Sequence, residues 1–151
     1  MQTFASVNDA IDFAIAREQE AHDFYVSLAT KAANPAMGQA LLEFAQEELG
    51  HKAKLQAVKL GQQLISAQTR VMDLKIGDYL VEVSTDDVHT YQQALIVAMK
   101  QEKAAFRLYM DLAGSCTDPG MHELFLGLAN EEAKHKLRFE LEYDEQVLRE
   151  N

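Results

Sequence analysis

Apolar residues recur at intervals of three and four along most of this chain, and strand-like alternation is hard to find. Val7, Ile11, Ala14, Ala21, Tyr25 and Leu28 share one stripe of a helix predicted from about residue 7 to 32. Ser6 stands at its N-cap, with an acid, Asp9, three residues later. Asn34-Pro35 supplies a second cap with a first-turn proline, and a second helix follows to about Leu60, where Gly61 is the stop signal. Its inward stripe reads Leu41, Phe44 or Ala45, Leu55 and Val58. Residues 61–86 are less regular, although Met72, Leu74, Ile76, Tyr79 and Leu80 predict a short helix or turn packed on the rest. Ser84-Thr85-Asp86-Asp87 predicts the start of a third helix, ending near Ala113 or Cys116. Asp118-Pro119 repeats the cap-proline device and opens a fourth helix reaching the last residues, with Phe125, Leu128 and Phe139 on one side.

The connections fix how these helices assemble. Helix one to two, and three to four, are joined by a few residues, so each pair forms an antiparallel hairpin. A helix of ~25 residues is ~38 Å long. The long segment between the second and third helices can run that distance and return the chain to the end where it started. The expected fold is all-α: an antiparallel four-helix bundle of two helical hairpins with one long crossover, the ferritin-like arrangement, in a single domain over residues 1–151.

Charged residues interrupt the apolar stripes at matching places. Glu48-Leu49-Gly50-His51 and Glu132-Ala133-Lys134-His135 are both E-x-x-H, 84 residues apart. Glu18 and Glu102, also 84 apart, stand 30 residues ahead of each pair. The same shift matches Ala21 with Ala105, Tyr25 with Tyr109, Leu28 with Leu112, Pro35 with Pro119 and Glu47 with Glu131, without a gap. The two hairpins therefore read as copies of one unit related by a pseudo-twofold axis.

On a helix, residues three apart are neighbours, so an E-x-x-H pair aims a carboxylate and an imidazole at nearly the same point. Two such pairs give two metal ions two ligands each, and Glu18 and Glu102 can bridge or chelate between them. Oxygen with a little nitrogen and no thiolate suits hard-to-borderline divalent ions. Four ionised glutamates on apolar stripes are costly to bury unless compensated, and two divalent cations cancel their charge. Glu18, Glu48, His51, Glu102, Glu132 and His135 are thus the expected metal ligands.

Glu47 and Glu131 lie ~100° round the helix from their neighbours and read as outward charges or as partners of the ligands. Glu20 has Ala104 as its counterpart, so the repeat does not support it. Tyr25 and Tyr109, two turns beyond Glu18 and Glu102, read either as core aromatics or as phenols hydrogen-bonded to a ligand carboxylate, near enough to pass an electron and a proton. His22, His89 and His122 have no repeat partners and read as surface or packing residues.

Composition narrows the function classes. Two prolines and seven glycines suit a helical protein. The formal charge of −10 disfavours nucleic acid as a partner. No apolar run approaches the ~20 residues of a membrane span, and residues 1–6 lack a secretory pattern, so no membrane partner and a cytoplasmic location are expected. The single cysteine, Cys116, excludes an internal disulfide and a Cys-x-x-Cys metal site.

Glu18 with Tyr25, Glu48 with His51, Glu102 with Tyr109 and Glu132 with His135 together resemble the rubrerythrin-type, ferritin-like di-iron proteins, across essentially the whole chain. The resemblance implies a bundle holding two iron ions, with manganese or zinc as alternatives. It also implies reaction with hydrogen peroxide or dioxygen, either reducing peroxide or oxidising ferrous iron, and a homodimer. It departs at two points. Full-length rubrerythrins carry a four-cysteine rubredoxin-like domain, absent here, so an external electron donor is implied. They also carry an additional glutamate one turn after the third-helix ligand, where this chain has Ala105, leaving a six-ligand site like that of bacterioferritins. The alternatives to such an oxidoreductase are a non-enzymatic iron-binding or storage protein and a metal-stabilised structural module.

Overall fold

The computed structural model describes residues 3–61, 76–81 and 90–150. Four long helices account for most of these: α1 (Val7–Ala29), α2 (Pro35–Leu60), α3 (Tyr91–Ser115) and α4 (Pro119–Glu150). They form the expected all-α bundle. Packing is most extensive within the α1–α2 and α3–α4 hairpins, and α1 also packs on α3.

The helix starts follow from side chains that accept otherwise orphaned amide protons. Ser6 Oγ accepts from Asp9 N at 3.1 Å, Asn34 Oδ1 from Met37 N at 2.8 Å and Asp118 Oδ2 from Met121 N at 2.9 Å. Asn34-Pro35 and Asp118-Pro119 thus begin the second helix of each hairpin by the same device. Thr90 begins α3 with a reciprocal pair: its Oγ1 accepts from Gln93 N, and its own N–H donates to Gln93 Oε1, each at 3.1 Å. The expected start at Ser84–Asp87 lies outside the described residues, and the cap that serves α3 is Thr90. Helix α1 stops at Ala29 rather than 32. Beyond it the amides of Thr30, Lys31 and Ala32 bond three residues back, to Ser27, Leu28 and Ala29, which tightens the chain into a turn.

Two apolar clusters fill the ends of the bundle. One joins Ile11 of α1, Leu55 of α2, Leu112 of α3 and Phe125 of α4. The other joins Leu28, Leu41, Leu95 and Phe139 from the same four helices. The first takes the early part of α1 with the late part of α3, and the second takes the reverse, so these helices run antiparallel. Each fully buried leucine, isoleucine or phenylalanine contributes roughly 1.5–3 kcal/mol of transfer free energy.

From the crossover, Ile76–Tyr79 forms a 3-10 turn. Tyr79 is buried, stacks on Phe4 and donates to Asp111 Oδ2 at 2.6 Å, tying the turn to the first cluster. Leu80 is exposed, and Met72 and Leu74 lie outside the described residues. Among the described residues no helix is long and apolar enough to cross a membrane.

Candidate metal centre

Between the two apolar ends lies a layer of ionisable side chains. Glu18 comes from α1, Glu48 and His51 from α2, Glu102 from α3, and Glu132 and His135 from α4. None of the six is more than 4% exposed. Their polar atoms converge in two overlapping groups, each with one atom per residue and all within 4.8 Å of one another. Glu18, Glu48, His51 and Glu132 make the first group; Glu48, Glu102, Glu132 and His135 make the second.

The sharing narrows the sequence expectation. Of the two roles expected for Glu18 and Glu102, bridging or chelating, their membership of one group each fits chelation, whereas Glu48 and Glu132 belong to both groups. The two E-x-x-H glutamates sit on α2 and α4, so each can face its own histidine and the centre at once. Glu18 and Glu102 are held back by the tyrosines. Tyr25 OH donates to Glu102 Oε1, and Tyr109 OH donates to Glu18 Oε1 at 2.5 Å. Helical side chains lean toward the N-terminus, so a phenol two turns downstream reaches back to the central layer. Both tyrosines are also fully buried core residues. Each tyrosine is thus both a core aromatic and a hydrogen-bond donor to one of the converging carboxylates.

One atom of each of the six residues lacks a hydrogen-bond partner although buried: Glu18 Oε2, Glu48 Oε1, His51 Nδ1, Glu102 Oε2, Glu132 Oε1 and His135 Nδ1. Buried polar atoms in folded proteins are almost always satisfied. These six atoms, one from each converging side chain, face one another as ion-pair contacts without hydrogen-bond geometry, an arrangement that ligand atoms around cations would take. His51 Nδ1 lies 2.7 Å from Glu132 Oε1 and 3.3 Å from Glu48 Oε1, and His135 Nδ1 lies 3.3 Å from Glu48 Oε1. The donor set, four carboxylates and two imidazoles, fits a pair of divalent ions.

Without cations the cluster balances itself with protons. Burial, and then the facing Glu48 charge, push Glu18 up to about 8. Burial and the Glu48 charge likewise raise Glu102, and burial with the charges of Glu102, Glu48 and Glu18 raises Glu132 well above the carboxylate range. Burial would also raise Glu48, but contacts with His135 and His51 outweigh it and hold this carboxyl down to about 2. Burial would lower the imidazoles, yet Glu18 and Glu48 lift His51 to about 9, and Glu102 and Glu48 lift His135 to about 11. Burial and the adjacent carboxylates keep both tyrosines far above the usual phenol range, so they remain O–H donors.

The sequence matches the rubrerythrin family over residues 9–143. This chain belongs to that family. No curated protein matches it significantly. Its fold is similar to that of a hypothetical protein from Pyrococcus furiosus, at 26% identity and a TM-score of 0.71, over 93% of this chain and 89% of the other.

Other details of this rubrerythrin-family site were less legible. Glu47, half exposed, reaches across to the opposite hairpin, where its Oε2 lies 2.6 Å from His135 Nε2. Its repeat counterpart Glu131 pairs with Lys134 at 3.9 Å. Phe44 stacks on the His135 ring at 4.3 Å between centroids. Glu142 is buried and accepts from Tyr91 OH at 3.0 Å, a contact for which the repeat gives no signal. Glu20 pairs with Arg17 at 2.6 Å, and both line the cavity beside the centre, but Glu20 belongs to neither ligand-type group. His22 contacts the neighbouring Asp23, His122 contacts the carbonyl of Ala113, and His89 lies outside the described residues.

A cavity of about 70 Å³ opens beside the centre. Glu18, Glu48, Glu102 and Glu132 form its inner wall, with Ala21, Ala105 and Leu108 around it and Arg17 and Gln101 also lining it. Roughly 10–15 Å³ of such space admits one water, so the cavity has room for a few waters or a small oxidant. Ala21 and Ala105 are repeat counterparts one turn beyond Glu18 and Glu102, and their small side chains leave this space open.

Proposed function

We propose that this chain is a non-haem di-iron oxidoreductase that reduces hydrogen peroxide, or uses dioxygen to oxidise ferrous iron. The observation that carries the proposal is the convergence of six buried ligand-type side chains into two overlapping groups beside a small cavity. When bound, two ferrous ions supply the two electrons that, with two protons, take one hydrogen peroxide to two waters.

The protein's part is holding, orienting and admitting. Glu48 and Glu132 would hold both ions. Glu18 with His51, and Glu102 with His135, would each complete one position. The phenols of Tyr25 and Tyr109 occupy one oxygen of Glu102 and of Glu18, leaving the other free to face the centre. The cavity, with Ala21 and Ala105 in its lining, would admit a small oxidant to the four glutamates. Residues 1–151 hold a lone cysteine and no iron–sulfur or rubredoxin-type relay, so electrons for further turnovers would come from outside this domain.

Anaerobic loading with two equivalents of Fe(II), followed by hydrogen peroxide or air, tests this directly. Absorbance should report oxidation of both ions faster than Fe(II) oxidises in protein-free buffer. An unchanged rate rules the proposal out.

A further inference from the structure

The repeat makes the two halves of the site equivalent in their six ligand-type residues but not in what surrounds them. His135 has two supports. Glu47 Oε2 lies 2.6 Å from its Nε2, and Phe44 stacks on its ring at 4.3 Å with 28° between planes. The corresponding supports for His51 would be Glu131 and residue 128. Residue 128 is a leucine, with no ring to stack. Glu131 is drawn to Lys134 at 3.9 Å, while the carboxylates beside His51 are Glu18, Glu48 and Glu132, all facing Nδ1.

One sequence difference accompanies this asymmetry. Lys134 stands three residues after Glu131, on the same helix face. The counterpart of Lys134 is Gly50, which leaves Glu47 without a competing cation there and free to cross to His135. A carboxylate on the outer nitrogen of a metal-binding imidazole fixes its tautomer and raises its basicity, and losing it costs roughly 10–100-fold in metal affinity.

We propose that the two metal positions are inequivalent: the position completed by Glu102 and His135 fills first, and Glu47 is the positioning residue that makes it so. This rests on the di-metal reading above and adds to it an order of loading and a stable half-loaded state. That state leaves the His51 position open to a different ion.

The test is anaerobic titration of the metal-free full chain with Zn(II), followed by calorimetry and by 15N-detected NMR of the histidine rings. Stepwise affinities roughly 10–100-fold apart are expected. With one equivalent bound, the His135 ring signals should shift to their metal-bound positions while those of His51 stay. Repulsion between neighbouring ions would also separate the two steps, so variants must assign the cause. Glu47→Ala should weaken the first step by roughly 10–100-fold, with partial recovery in Glu47→Asp, whereas Glu131→Ala should leave both steps within about twofold. Gly50→Lys should act like Glu47→Ala by drawing Glu47 away; a Cβ there meets nothing within 4 Å, so the helix accommodates it. Lys134→Ala should tighten the second step by releasing Glu131.

Simultaneous shifts of both histidines at one equivalent, or equal effects of Glu47→Ala and Glu131→Ala, would overturn the inequivalence while leaving the di-metal reading intact. Absence of any tight Zn(II) binding would overturn both.

Discussion

Loading the centre with two divalent ions should expel protons, and their number follows from the cluster's electrostatics. At pH 7 in the metal-free protein, His51 and His135 are held up to about 9 and about 11, and Glu18 to about 8, while Glu102 and Glu132 are also raised. Glu48, held down to about 2, is already ionised. Ligation requires the basic form of every group. At least three protons should therefore leave as two ions bind near pH 7, one each from Glu18, His51 and His135. The logarithm of the overall affinity should rise with pH with that slope, then less steeply above about pH 8 to 9 as Glu18 and His51 lose their protons unaided, and flatten only beyond about pH 11, where His135 does the same.

The stability of the metal-free chain should move the opposite way. A carboxyl raised from its unfolded value to about 8, and imidazoles raised to about 9 and 11, stabilise the fold at low pH. Glu18 loses its contribution between about pH 4.5 and 8, and the histidines lose theirs from about 6.5 upward. At 1.36 kcal/mol per pKa unit the full loss from Glu18 is on the order of 5 kcal/mol. Glu48 acts in reverse and matters only as pH falls below about 4.5. Calorimetry of Zn(II) binding in buffers of different ionisation enthalpy gives the proton count, and denaturant melts of the metal-free chain from pH 5 to 9 give the stability slope. Fewer than two protons released at pH 7, or metal-free stability rising over that range, would refute this account of how the empty cluster is balanced.

Substituting His51 or His135 by alanine should lower metal content and thermal stability together, checked by elemental analysis and calorimetric melts of the same samples; unchanged metal content would defeat the ligand assignment. Tyr109→Phe should cost about 1.5–3 kcal/mol in a denaturant melt, because it removes the phenol that serves buried Glu18. Tyr25→Phe should match it through Glu102. Ala105→Leu should fill the cavity and slow oxidation of the loaded protein, with Zn(II) affinity unchanged within about threefold, since Ala105 lines the space but offers no ligand atom.

Period and repeat together made the bundle and the six-residue convergence readable before any coordinates. A stripe such as Ile11–Ala14–Glu18–Tyr25–Leu28 names its buried face without reference to its partners, and a second copy at a fixed shift names what that face meets. Caps were legible for the same local reason: Asn34 and Asp118 act on amides three residues away. The start of α3 was misplaced because Ser84–Asp87 has cap chemistry too, and only the packed structure selects Thr90. The tyrosine partners were hidden for a different reason. Tyr25 lies on the same stripe as Glu18, yet it serves Glu102 on the antiparallel helix, and that exchange depends on how α1 and α3 face one another.

That exchange also explains which glutamates are shared. Each phenol fixes one oxygen of the carboxylate on the facing helix, so Glu18 and Glu102 are oriented from outside the centre and each serves one position. Glu48 and Glu132 have no such tether among the described hydrogen bonds, and they face both histidines or both groups. A site assembled from two copies of one hairpin would be symmetric if only its six convergent residues mattered. Glycine at 50 and lysine at 134 break that symmetry one residue away from each histidine, through carboxylates that hold no metal themselves. The repeat therefore accounts for the two overlapping groups, and the departures from the repeat account for the different surroundings of His51 and His135.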